Sequence, residues 1–145
     1  GQHMPASHAP VIPSFLRQAL RGGTIVMHGD GLQTRDYVFV DDVVSAMISA
    51  ATAPSLEGPV INIGSGIETS VLDLIKMIME ATGVKTEAIA NPRTDPGASR
   101  MRADIRLAKE NLGYLPRGLR SEWLRLTLDR DPRFRRDTAA RSLSS

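Results

Sequence analysis

The sequence predicts an α/β fold with at least some parallel strand pairing. Short apolar or alternating stretches, helical apolar patterns and turn-forming Gly or Pro residues follow one another along the chain. Strands that alternate with helices are typical of connections that bring strands side by side in parallel. We predict about four strands and five helices in one small mixed domain, with a flexible start at 1–10, a folded region over 11–130 and a polar tail at 131–145.

The first half of the chain predicts two helices and two strands. The apolar residues of the first helix share one face: Ile12, Phe15, Leu16, Ala19 and Leu20. Gly22 and Gly23 are suited to end this helix. The stretch TIVMH predicts one strand, and the alternating RDYVFV predicts another. Asp41 is a suitable N-cap for the next helix. The apolar side of that helix is expected to carry Val43, Val44, Met47, Ile48 and Ala51.

The second half continues the alternation. The almost wholly apolar stretch VINIG predicts a third strand, buried on both faces. Ser70 is a candidate cap for the next helix, with Asp73 as its capping-box partner. TEAIA predicts a fourth strand, and NPRTDPGASRMR predicts a loop. Asp104 and Ser121 are candidate caps for the last two helices.

Composition excludes several classes of protein. The chain has no cysteine, which excludes disulfides and thiolate chemistry and makes a reducing cytoplasm the default location. It has no apolar run of about 18 residues, and because its start is polar we expect no signal peptide. The polar start GQHMPASHAP could be a vector-derived leader, but we interpret it as native sequence.

The net charge of +2 conceals an asymmetry. Residues 1–92 contain 5 Lys and Arg against 9 Asp and Glu, whereas residues 93–145 contain 13 against 7. A basic segment of this kind can bind nucleic acid. Because the arginines alternate with acidic residues over helical patterns, we favour a solvated helix surface instead.

Two segments resemble incomplete dinucleotide-binding motifs. GDGLQT at Gly29 and GSGIET at Gly64 each have two glycines of G-x-G-x-x-G and a threonine in place of the third. The third glycine normally allows close packing of helix and strand. A plain turn is therefore favoured over a phosphate cradle at Gly64.

Several other polar residues can be interpreted either as ligand contacts or as structural residues. Arg35 stands at the start of a strand beside a glycine turn, where it could reach phosphate oxygens or join a surface salt bridge; the sequence leaves both open. Arg93 and Arg100 flank a loop and could clamp an anion, although a solvated loop is favoured. His28 is not part of a metal-ligand spacing, and the pair Asp41-Asp42 is interpreted as helix capping.

Four blocks in order carry a family resemblance: VIPSFLRQALRGG, GDGLQTRDYVFVDDVVSAM, VINIGSGIETSVLDLI and ADIRLAKENLGYLP. Together they resemble the C-terminal, substrate-binding part of NAD-dependent nucleotide-sugar epimerases and dehydratases, the extended short-chain dehydrogenases, with the UDP-glucose 4-epimerase type as the nearest. The resemblance implies that the region over 11–130 binds a UDP-sugar or dTDP-sugar, while NAD binds to a separate Rossmann half.

The resemblance also implies roles for particular residues. Arg35 would hold the diphosphate, with Tyr37 beside it, and either Arg93 or Arg100 would close over the diphosphate. The remaining implied substrate contacts are Val11, Val26, His28 and Val71. The family often has Arg-x-Gly-Asp in the loop where this chain reads RTDPGASR, so Asp95 is a candidate for the contact of that aspartate.

The catalytic signature of the family is missing from this sequence. A tyrosine followed four residues later by lysine would be expected, but Tyr37 is followed at that spacing by Asp41 and Tyr114 by Gly118. We therefore expect no catalytic residue and no cofactor site in this chain, and NAD only in the parent enzyme. Without the Rossmann half, an exposed apolar patch and a homodimer are expected. The alternative is a stand-alone binding or assembly module whose arginine-rich C-terminal third binds an acidic partner or nucleic acid.

Overall fold

A computed structural model describes residues 10–56, 60–91, 100–118 and 121–134. Helices and strands are mixed along the chain, which confirms the α/β class. In chain order they are α1 (Val11–Leu20), β1 (Ile25–His28), β2 (Thr34–Arg35), α2 (Val40–Thr52), β3 (Thr69–Ser70), α3 (Val71–Thr82), β4 (Ala88–Asn91), α4 (Arg106–Leu112) and α5 (Ser121–Arg130). Over the described ranges, no helix has the length and apolar character needed to cross a bilayer.

The described residues form two compact units. Unit 1 comprises residues 10–31, 72–91 and 121–134, and unit 2 comprises residues 32–56, 60–71 and 100–118. Unit 1 thus holds α1, β1, β4, α5 and nearly all of α3, whereas unit 2 holds β2, α2, β3 and α4.

Unit 1 is organised around a parallel strand pair. β1 pairs with β4, with Ile25 opposite Ala88 and His28 opposite Asn91, which confirms the expected parallel pairing. Burial alternates along β1, so that Val26 and His28 are exposed on one face. Helix α1 buries four of the five residues that its apolar spacing predicts, Phe15, Leu16, Ala19 and Leu20, whereas Ile12 is partly buried. Gly22 follows that helix with φ 72°, the left-handed conformation expected of a glycine stop.

Packing in unit 1 continues beyond α5. The Phe134 side chain is fully buried, and Arg133 pairs with Asp131. An aromatic side chain therefore anchors the described part of the predicted polar tail. Residues 135–145 lie outside the described residues.

Unit 2 has a small core between two helices. Its buried cluster consists of Ala46, Ile105, Ala108 and Tyr114, surrounded by the partly buried Ile61, Ile63, Ala103 and Leu112. Strands β2 and β3 form a two-residue antiparallel ladder, with Thr34 opposite Ser70 and Arg35 opposite Thr69.

Two predicted strands differ from the structure. Only the first residue of RDYVFV, Arg35, lies in a strand, and the stretch VINIG is not a strand. VINIG is also not buried on both faces, because the Val60 side chain is 68% exposed. An alternating or apolar stretch is suited to a strand, but it forms one only where a partner supplies the ladder of hydrogen bonds. Among the described residues, neither stretch has such a partner over its length.

Helix starts are shifted from their predicted caps. α2 begins at Val40 after an extended Phe39, so the prediction of Asp41 as N-cap is wrong. The Phe39 carbonyl accepts the amides of Asp42 and Val43, and Asp41 lies in the first turn, where its charge still suits the helix dipole. α4 likewise starts after Ile105 rather than directly after Asp104, although Asp104 Oδ1 accepts the Arg106 amide at 3.1 Å.

Helix α2 exposes most of its predicted apolar side. Its buried residues are Asp42 and Ala46. Its large apolar side chains are exposed: Val40, Val44, Met47 and Ile48. We call these four residues the α2 apolar face. This face is the exposed apolar patch that the resemblance leads one to expect.

Candidate functional site

Arg35 lies in the short β2 ladder and is partly buried. Pairing of β2 with β3 fixes the Arg35 backbone opposite Thr69, and Arg35 Nη1 donates to the Thr34 carbonyl at 2.8 Å. The backbone of Arg35 is therefore held by a sheet, and one edge of its guanidinium is held by a neighbouring carbonyl.

A cavity of about 650 Å³ adjoins Arg35 within unit 2. Three arginines contribute to its wall: Arg35, Arg100 and Arg102. The remaining lining residues are Asp36, Val38, Asn62, Ile63, Gly64, Met101, Ala103 and Asp104. Guanidinium groups bind phosphate and carboxylate oxygens through paired N–H groups, so the arginines of this wall are suited to bind an anion.

Asp36 forms the centre of a hydrogen-bond network beside the cavity. Its Oδ1 accepts the Ser65 amide at 2.7 Å and the Ser65 hydroxyl at 2.6 Å. Its Oδ2 accepts the amides of Gly66 at 2.9 Å and Ala103 at 3.0 Å. One carboxylate thus joins the β2 end, the Gly64–Gly66 turn and the segment before α4.

The hydrogen-bond network determines the protonation state of the Asp36 carboxyl. Burial raises the pKa of its carboxyl, but the hydrogen bonds from the Ser65 hydroxyl and the Ala103, Ser65 and Gly66 amides outweigh this effect. The pKa of Asp36 therefore lies below its ordinary value, and the side chain is an anion at neutral pH.

The same network distinguishes the two interpretations of GSGIET, a plain turn and a phosphate-binding loop. Phosphate cradles use amide groups that are available to the ligand. Here the Ser65 and Gly66 amides already donate to Asp36, which confirms the turn and leaves neither amide for a pyrophosphate. The residues present at this turn do not fit NAD.

Gly64 is required by close packing in the same turn. A Cβ at this position would lie 2.5 Å from the Ala103 Cβ and 2.9 Å from Asp36 Oδ2. We expect Gly64→Ala to destabilise unit 2 by about 2 kcal/mol, because overpacked sites force backbone shifts. Chemical denaturation measures this change. Gly23→Ala is the matched control, since its nearest neighbour would be 3.7 Å away; equal stabilities of the two variants would contradict the prediction.

The two tyrosines have different surroundings. The Tyr114 hydroxyl donates to the Gly64 carbonyl at 2.9 Å, and burial with the nearby Asp42 and Asp36 charges raises the pKa of Tyr114. Burial also raises the pKa of Tyr37, against the opposing charge of Arg35. The Tyr37 hydroxyl is buried and meets no hydrogen-bond partner among the described residues.

Arg100 is paired with Glu68. Arg100 Nε donates to Glu68 Oε2 and Arg100 Nη2 donates to Oε1, both at 2.9 Å. The Thr34 hydroxyl also donates to Oε2, at 3.1 Å. The hydrogen bond from Arg100 lowers the pKa of Glu68 despite the opposing effect of desolvation.

The other predicted contacts have varied exposure. In unit 1, Val11 opens α1, and Val26 and His28 lie on the exposed face of β1. In unit 2, Val71 is buried. Arg93 and Asp95 lie outside the described residues. The structure therefore brings Arg35 and Arg100 to one cavity.

Sequence reasoning missed Asp36, Glu68 and Arg102. Adjacent residues of a strand point to opposite faces, so a solvent-facing Arg35 implies an inward-facing Asp36, and this was the available signal for Asp36. Glu68 and Arg102 gave no signal, because their relation to Arg35 depends on the β2–β3 register and on the segment before α4.

Fold and site together are those of an α/β protein with an arginine-lined cavity suited to an anion. The NAD dependent epimerase/dehydratase family matches residues 1–64, and the predicted resemblance to its UDP-glucose 4-epimerase type is confirmed. The chain is 38% identical over 125 residues to the UDP-glucose 4-epimerase of Mycolicibacterium smegmatis, which covers 86% of this chain and 40% of that relative.

Solved structures show the same likeness. The UDP-glucose 4-epimerase of Thermotoga maritima, crystallised with UDP-glucose, has a TM-score of 0.78 and 35% identity, covering 94% of this chain and 42% of that one. The UDP-glucuronic acid 4-epimerase of Bacillus cereus, in complex with UDP-glucuronic acid and NAD, has a TM-score of 0.75 and 28% identity, covering 83% and 38%. The chain spans about two fifths of the proteins that it resembles.

Proposed function

We propose that this chain is the nucleotide diphosphate-sugar-binding portion of an NAD-dependent epimerase or dehydratase, and that it has no catalytic activity alone. The observation that carries the proposal is the cavity of unit 2, whose wall includes Arg35 and two further arginines. Support comes from the similarity to enzymes named for UDP-sugars, one of them crystallised with UDP-glucose. The ligand is a UDP-sugar or dTDP-sugar, with its diphosphate against Arg35.

The second part of the proposal concerns catalysis. Hydride transfer to NAD takes place in a separate Rossmann half, since the Gly64–Gly66 turn does not fit NAD and neither tyrosine has a lysine at the required spacing. The α2 apolar face is the surface that the other half covers. Self-association through this face is the outcome when that half is missing.

The alternative of nucleic-acid binding is disfavoured by the ion pairs of the last third. Among the described arginines of this region, Arg106, Arg117 and Arg133 pair with Asp104, Asp42 and Asp131. Nucleic-acid affinity depends on cations that are available to neutralise phosphates. These arginines instead neutralise carboxylates of the chain itself.

Calorimetric titration of the 145-residue chain with UDP tests the proposal. Arg35→Ala is expected to weaken UDP binding by about 1.5–3 kcal/mol, the contribution of hydrogen bonds to a charged group. The exposed Arg21 at the end of α1 provides the control, and Arg21→Ala is expected to bind as the wild type does. Absence of UDP binding by the folded chain, or equal affinities of the two variants, would sink the proposal.

A further inference from the structure

We propose that Glu68 is a positioning residue of the anion site, which orients Arg100 toward the cavity that Arg35 also lines. The inference rests on the proposed function and adds a residue to it. Nothing in the sequence singles out Glu68, since it lies in the segment between a glycine turn and a helix.

The first argument is the geometry of the pair. The Glu68 carboxylate accepts two hydrogen bonds from Arg100, one from Nε and one from Nη2, both at 2.9 Å. A guanidinium held along this edge keeps its Nη1 group and one N–H of Nη2 for a second acceptor. Because the guanidinium is planar, fixing one edge on Glu68 also fixes the orientation of the N–H groups that remain for an anion.

The second argument is the position of the two partners. Arg100 belongs to the wall of the cavity, whereas Glu68 is not among the lining residues. The Arg100 side chain is 75% exposed and the Glu68 side chain only 24%. The carboxylate is therefore the more buried partner and is not part of the cavity lining, so it holds one edge of the guanidinium without itself lining the cavity.

The third argument links Glu68 to Arg35. Glu68 Oε2 also accepts the Thr34 hydroxyl at 3.1 Å, and Thr34 precedes Arg35 in β2. Thr69, the neighbour of Glu68, is paired with Arg35 across the β2–β3 ladder. A single carboxylate thus ties Arg100 to the strand that carries Arg35 and fixes the spacing of two cations on one wall.

Titration of the 145-residue chain with inorganic pyrophosphate tests this role. Glu68→Gln is expected to weaken pyrophosphate binding by about fivefold, near the upper end for an exposed ion pair. Arg100→Ala is expected to weaken it at least as much, and Glu68→Gln adds nothing in the Arg100→Ala background. Glu68→Asp, which keeps the charge, retains most of the affinity. Asp73→Asn is the control, because Asp73 forms a comparable exposed pair with Lys76 on α3.

The outcomes separate the two proposals. Unchanged or tighter binding by Glu68→Gln overturns the positioning role, provided that Arg35→Ala still weakens binding. Additive losses in the double variant overturn it as well, since they indicate a general structural effect. If the wild-type chain binds neither UDP nor pyrophosphate, the proposed function fails and the inference fails with it. A thermal midpoint measured for each variant shows that affinity changes without loss of folding.

Discussion

Replacing Arg117 with alanine is expected to destabilise unit 2 by about 3 kcal/mol, because it leaves a buried carboxylate without its cation. Asp42 is only 3% exposed, and its Oδ1 accepts from Arg117 Nε at 2.9 Å. Its Oδ2 accepts the Arg117 amide at 3.0 Å, a contact that alanine keeps. The Arg117 side chain is half exposed, which places the expected value at the low end for a buried pair.

Urea denaturation followed by tyrosine fluorescence measures this effect. The chain has two tyrosines and one tryptophan. Tyr37 and Tyr114 belong to unit 2, whereas Trp123 belongs to unit 1, so tyrosine emission reports on unit 2. Arg106→Ala is the control, since its pair with Asp104 is exposed and its loss should leave the midpoint unchanged. A midpoint for Arg117→Ala equal to that of the control would show that solvent compensates for the pair.

Asp36→Ala is expected to destabilise unit 2 by about 3 kcal/mol, since buried donors without an acceptor are costly. The substitution removes the acceptor of four hydrogen bonds, including the amides of Ser65, Gly66 and Ala103. Asp36→Asn keeps one acceptor oxygen and is expected to lose less. The same tyrosine-detected denaturation ranks the variants, and an Asp36→Ala midpoint at the wild-type value would refute the structural role of the network.

The pH dependence follows from the lowered pKa of Asp36. A carboxyl with a folded-state pKa below its unfolded value, about 3.9, contributes stability above that value. The contribution disappears as pH falls through the lower, folded-state pKa. Wild-type unit 2 should therefore lose more stability than Asp36→Ala on acidification below about pH 4. Parallel acid profiles of the two proteins would count against this contribution.

The helices and strands that were predicted correctly are those whose sequence patterns involve residues close together in the chain. The apolar spacing of α1, the glycine stop after it and the strands β1 and β4 depend on residues close in the chain, and they were predicted. VINIG and RDYVFV were wrong as strands because pairing is a property of two segments. A one-dimensional pattern states that a segment suits a strand without stating that a partner is present.

The candidate site shows the same division. Arg35 was predicted as an anion contact because a cation beside a glycine turn is a local sequence pattern. The family resemblance supported the same prediction. Asp36 and Glu68 act through partners that lie 29 to 67 and 32 to 34 positions away in the sequence. Such contacts are set by the register of β2 with β3 and by the path of the chain before α4. Spacing alone could not supply them.

The orientation of α2 reverses the usual expectation about where mutations are tolerated. On this helix, a small residue, Ala46, and a charged one, Asp42, occupy the interior, while methionine and branched aliphatic side chains face outward. Polar replacements at Met47 or Ile48 are therefore compatible with folding of this chain, whereas an apolar replacement at Asp42 is not. A method that infers burial from side-chain hydrophobicity will rank the mutational tolerance of these positions in reverse order.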